Sequence, residues 1–97
     1  MSFAAIILQP ANDWRPEDLG QYEYNGDAAR RATFRAGGLR DCAAVVIDLE
    51  PGPADEFTSS ADPLRGTFIQ TKGWLPADLL HRIGVAACKL RRGEALG

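Results

Sequence analysis

The residues whose side chains could do chemistry are few. His81 is the sole histidine, and Cys42 and Cys88 are the only thiols. On a helix His81 and Cys88 would share a face, but their separation in sequence puts them about 10 Å apart along the axis. That is too far for both to bind one metal ion, and no CxxC, HxxxH or HExxH spacing occurs, so no zinc site and no cofactor is expected. Ser59 and Ser60 precede Asp62, but no Gly-x-Ser-x-Gly elbow surrounds them, and a triad would need that segment to reach His81. Asp48 with Glu50 and Asp55 with Glu56 are close pairs of carboxylates whose ordinary role is solvated charge. Gly37-Gly38 and Gly66 lie outside any GxxxxGKS, GxxxxGKT or GxGxxG frame. No catalytic set emerges.

Contact is the better reading of the same residues. On the helix predicted over Pro76–Arg92, His81, Val85, Cys88 and Arg92 line up on the side away from the leucines. A valine and a cysteine on a face that should be solvated suggest a second contact surface. The stretch around Asp55, Glu56 and Asp62 is acidic and forms a second candidate. The expectation is a small binding or regulatory protein, of inhibitor, adaptor or subunit type, that meets a protein partner through these seven residues. The alternative is an enzyme or small-ligand-binding subunit whose site forms around His81 at a homo-oligomer interface.

Bulk properties agree with a folded, soluble protein. Ninety-seven residues suit one domain with its own core, and 45% apolar with 25% charged residues are ordinary globular values. A net charge of −2 gives no electrostatic basis for nucleic acid or an anionic membrane as the main partner. The nearest approach to a nucleic-acid surface is Arg30, Arg31 and Arg35 with Tyr22, Tyr24 and Phe34, read here as a solvated face with Glu23 opposite Arg31. Charge is uneven along the chain: Asp48 to Asp62 carries five acids and no base, Arg82 to Arg92 four bases and no acid. The opening MSFAAIILQP lacks a basic flank and is too short for a signal or a span. With two cysteines only, the expectation is a cytoplasmic protein with free thiols.

The elements that must position these residues are read from periodicity and breakers. Phe3–Gln9 is a continuous apolar run, a strand buried on both faces. Trp14-Arg-Pro-Glu-Asp-Leu19 resembles Trp74-Leu-Pro-Ala-Asp-Leu79, and both read as helix starts with proline at the first helical position and a Trp to Leu staple. Gly20 would end the first helix after a turn. The repeat is taken as one good local solution reached twice, because nothing else aligns.

Gln21–Gly38 reads as a hairpin around Asn25-Gly26, since Ala32, Phe34 and Ala36 alternate with Arg31, Thr33 and Arg35. A helix over 27–37 is the competing reading; it would leave Phe34 on the wrong side. Cys42–Leu49 is the central strand, followed by a Pro- and acid-rich loop and a last strand, Thr67–Thr71. The C-terminal helix then carries Leu79, Leu80, Ile83, Ala86, Ala87 and Leu90 on its buried stripe and stops at Gly93. The predicted fold is α+β, an antiparallel sheet of about four or five strands with this helix across one face. The alternative is β-α-β-β-α.

Overall fold

A computed structural model describes residues 2–50 and 64–96. The chain runs β1 (Phe3–Leu8), a short 3-10 turn (Pro10–Asn12), β2 (Glu17–Tyr22), α1 (Asn25–Ala36), β3 (Cys42–Asp48), β4 (Thr67–Lys72) and α2 (Leu79–Arg91). The four strands form one antiparallel sheet in the order β2-β1-β3-β4. The α+β class, the antiparallel sheet and the C-terminal helix are therefore as expected, although α2 is only 13 residues long.

The two central strands dictate the layering. β1 and β3 are apolar at almost every position, so both faces of the sheet need cover. On one face Ala4, Ile6, Leu8, Ala43, Val45 and Ile47 meet Leu79, Ile83, Ala86, Ala87 and Leu90 of α2. On the other, Phe3, Ala5, Ile7, Cys42, Ala44 and Val46 meet Ala28 and Ala32 of α1. The result is three layers, helix, sheet and helix.

This arrangement corrects the hairpin reading of Gln21–Gly38. The segment is helical from Asn25, and Asn25-Gly26 opens the helix instead of turning a hairpin. Leaving one phenylalanine in water forgoes about 1.5–3 kcal/mol, whereas a strand here would leave a whole apolar sheet face exposed. The alanine stripe lets α1 lie close to the sheet, and Phe34 stays outside, 79% exposed, with the Arg31 guanidinium 6.0 Å from its ring centre. Arg30 pairs with Asp27 and Arg35 with Glu17, and because Arg31 sits on a helix over Phe34, the expected pairing of Glu23 opposite Arg31 across a hairpin does not form.

The two Trp-x-Pro-x-Asp-Leu segments have different fates. The first leads into β2, not a helix, and β2 pairs with β1 through a bulge between Ala4 and Ile6. The second precedes α2, whose first helical residue is Leu79 and not Pro76; Pro76 to Asp78 form a turn, and Asp78 is the N-cap. The Asp78 carboxylate makes no cap bond. It accepts from Arg82 Nε at 2.9 Å. The C-terminus ends as expected on Gly93, where the Gly93 and Glu94 amides donate to Leu90 and Lys89 in a Schellman motif. The two segments thus follow different strands and lead into different elements.

Candidate functional site

The outer face of α2 is built by what its inner face buries. Leu79, Ile83, Ala86, Ala87 and Leu90 are sunk in the core, which turns His81, Val85 and Arg92 outward and leaves Cys88 half-buried beside them. Leu80 departs from the predicted stripe. It is 55% exposed and joins the outer face, because the core side of the first helical turn is already filled by Leu79 and by Leu75 from the preceding turn. Among the described residues, then, the sequence reading of the outer face lacked one apolar member.

Two hollows flank the His81–Val85 ridge. The larger, about 520 Å3, is lined by Leu64, Leu80, His81, Gly84, Val85, Cys88 and Arg92. All four of the expected helix residues thus border one open, largely apolar depression. A smaller hollow of about 200 Å3 lies on the other side of the ridge, between Arg15, Pro16, Arg82, Lys89 and Leu96. His81 and Val85 border both.

Cations rim this apolar strip. The Glu94 carboxylate binds Arg92 Nε at 2.5 Å and raises the pKa of that exposed guanidinium, chiefly through this hydrogen bond. Arg82 is occupied structurally: besides Asp78 it donates to the Asp13 and Trp14 carbonyls at 3.1 and 3.4 Å. Arg91 ties the end of α2 to β3 and to the segment before β4, donating to the Asp48 and Arg65 carbonyls. The Lys89 and Arg15 side chains make no ion pair or hydrogen bond among the described residues.

Among the described residues no catalytic constellation is assembled around His81. Cys88 lies two turns along the same helix, and among the described residues no group of three or more His, Cys, Asp or Glu side chains is placed to hold a metal ion. The second thiol is remote: Cys42 belongs to the core on the other face of the sheet, and both cysteines are free. Burial pushes the Cys42 thiol pKa up, with Lys72 opposing and Asp41 adding to the shift. Asp55, Glu56 and Asp62, the acidic half of the expected contact surface, lie outside the described residues. Among the described residues no helix is long and apolar enough to cross a membrane.

Comparison with known proteins adds no assignment: no protein-family model, no curated protein and no solved structure matches the chain.

Proposed function

We propose that this chain is a small binding or regulatory module, of inhibitor, adaptor or subunit type, that acts by protein–protein contact through the outer face of α2. The observation that carries the reading is the exposure of Leu80 and Val85, 55% and 43%, beside the 520 Å3 hollow. Apolar side chains that converge on a concavity bordered by His81 and Arg92, with Lys89 across the ridge, suit a partner with an apolar ridge and acidic flanks. Among the described residues no nucleophile meets a base there, and no paired carboxylates do.

The test is retention of a partner by the tagged chain. Val85→Glu combined with Cys88→Ser should leave the fold intact, as judged by circular dichroism and unfolding midpoint, and abolish retention. Undiminished retention removes this face from consideration. Asp55→Lys with Glu56→Lys tests the acidic stretch separately, as a second contact surface.

A second reading keeps one observation of its own, the position of His81 between both hollows. It is a ligand site completed by another copy of the chain, which would have to bring an acid or thiol to His81. His81→Ala separates the two: loss of a bound small molecule without loss of a protein partner favours the ligand site.

A further inference from the structure

β4 is an edge strand whose outward backbone groups can be identified from the ladder. The Asp48 amide donates to the Gly66 carbonyl at 2.8 Å, and β3 pairs with β4 in register from Ile47 with Thr67 to Cys42 with Lys72. In an antiparallel ladder, hydrogen-bonded pairs alternate with non-bonded ones. Phe68, Gln70 and Lys72 therefore direct their backbone groups toward β3, while Ile69 and Thr71 direct theirs to the open side. No strand lies beyond β4 among the described residues.

The two edges of the sheet are not alike. β2 is interrupted by a bulge against β1 and carries Glu17 and Asp18, the usual guards against edge pairing. β4 runs in regular register, reads Thr-Phe-Ile-Gln-Thr, and has a single charge at its end. That charge is withdrawn: Lys72 Nζ donates to the Ala36 and Leu39 carbonyls at 2.8 and 2.9 Å, capping the C-terminal end of α1. Beside the edge, Phe68 is 58% exposed, next to a shallow hollow that α1 leaves open over Ala44 and Val46.

We propose that β4 pairs antiparallel with β4 of a second copy of this chain, about a two-fold axis through Gln70. The strand is complementary to itself in that register. Ile69 of each chain faces Thr71 of the other, and each such pair exchanges two backbone hydrogen bonds. The non-bonded pairs, where side chains approach most closely, are then Gln70 with Gln70 and Phe68 with Lys72. An amide meets an amide, and the exposed phenylalanine lies against the stem of a lysine. No like charges face each other, and the two sheets become one. This surface is separate from the outer face of α2, so the dimer and the proposed partner contact stand or fall independently.

The experiment is the solution mass of the full chain across a concentration series, for the wild type, Thr71→Pro and Val85→Glu. Proline at position 71 removes an N–H that the β3 ladder does not use and obstructs the open edge. The wild type should show a monomer–dimer transition, and Thr71→Pro should move its midpoint up by about tenfold or more, as expected for lost edge hydrogen bonds. Val85→Glu should leave the midpoint unchanged. A wild type that stays monomeric, a dimer indifferent to Thr71→Pro, or one broken by Val85→Glu overturns the proposal. Amide exchange in the wild type gives a check that needs no variant. The Ile69 and Thr71 amides should be protected in the dimer and lose protection on dilution; free exchange in the dimer also overturns it.

Discussion

The indoles of Trp14 and Trp74 meet at a centroid distance of 6.1 Å and an interplanar angle of 57°, one buried and the other 67% exposed. The matching Trp-x-Pro-x-Asp-Leu segments thus converge in space, although one enters a strand and the other a helix. Trp14 reaches the core from a left-handed backbone, φ 59°, which is unusual for a bulky side chain. The strain costs about 1–3 kcal/mol. Burying roughly 150–250 Å2 of indole returns about 4–6 kcal/mol at about 25 cal/mol per Å2, so burial wins. Arg82 of α2 steadies the turn by binding the Asp13 and Trp14 carbonyls.

The two tryptophans should therefore respond very differently to truncation. Trp14→Ala is expected to destabilise by about 3–5 kcal/mol, and Trp74→Ala by less than about 1 kcal/mol, as for a surface position. Urea unfolding of both variants measures this. Equal losses would contradict the assignment of Trp14 as the core member.

Gly73 and Asp41 lock the turn between β4 and α2. Asp41 Oδ1 accepts from the Trp74 amide at 2.7 Å, and a Cβ at Gly73, whose φ is +67°, would stand 2.0 Å from that oxygen. Gly73→Ala should cost about 1–2 kcal/mol for the left-handed backbone alone, and more because Asp41 must move. Asp41→Ala should lose part of the same stability while leaving the backbone unstrained. If Gly73→Ala unfolds at the wild-type midpoint, the turn is not built this way.

The helical assignment of Asn25–Ala36 predicts opposite outcomes at two neighbouring positions. Ala32 is 2% exposed beneath α1, so Ala32→Leu should overpack the interface and cost about 1–3 kcal/mol. Phe34→Ser, on the outer side, should stay within about 0.5 kcal/mol of the wild type. A hairpin would place both on one face and make both sensitive, so a denaturation series on the pair separates the two architectures.

The thiols should differ in reactivity and in pH linkage. Cys42 is 1% exposed and Cys88 half-buried on α2, so a thiol reagent should modify Cys88 first and Cys42 only at the rate of opening. Because burial raises the folded-state pKa of Cys42 above its unfolded value, the folded state holds the proton more tightly. Its contribution to stability is full below the unfolded pKa and is lost as pH rises through the folded one. Cys42→Ala should flatten this alkaline decline relative to the wild type, measured by unfolding at neutral and alkaline pH.

Local chemistry made much of the fold legible. The apolar runs Phe3–Gln9 and Cys42–Leu49, the alternation in Thr67–Thr71 and the basic last turn before Gly93 each specify their element from neighbours in sequence. So does the 3.6-residue period that sets His81, Val85, Cys88 and Arg92 on one face, since a helix places its own side chains. The reading of Phe3–Gln9 as buried on both faces already implied two covering layers, which a single helix cannot supply. The propensity of Asp27 to Ala36 pointed to the missing layer, and Phe34 argued against it.

Tertiary structure decided the rest, because its causes are long-range. Residues 25–36 became a helix because a second apolar sheet face had to be covered, a demand set by β1 and β3. Proline and tryptophan at matching positions began a strand in one place and a helix in the other, according to whether β1 or the core lay alongside. Leu80 left the buried stripe because Leu75 and Leu79 had filled the space, and Lys72 left the sheet edge for the carbonyls at the end of α1. Sequence periodicity determines which residues share a face. Only packing determines which face meets the core and which is left for a partner.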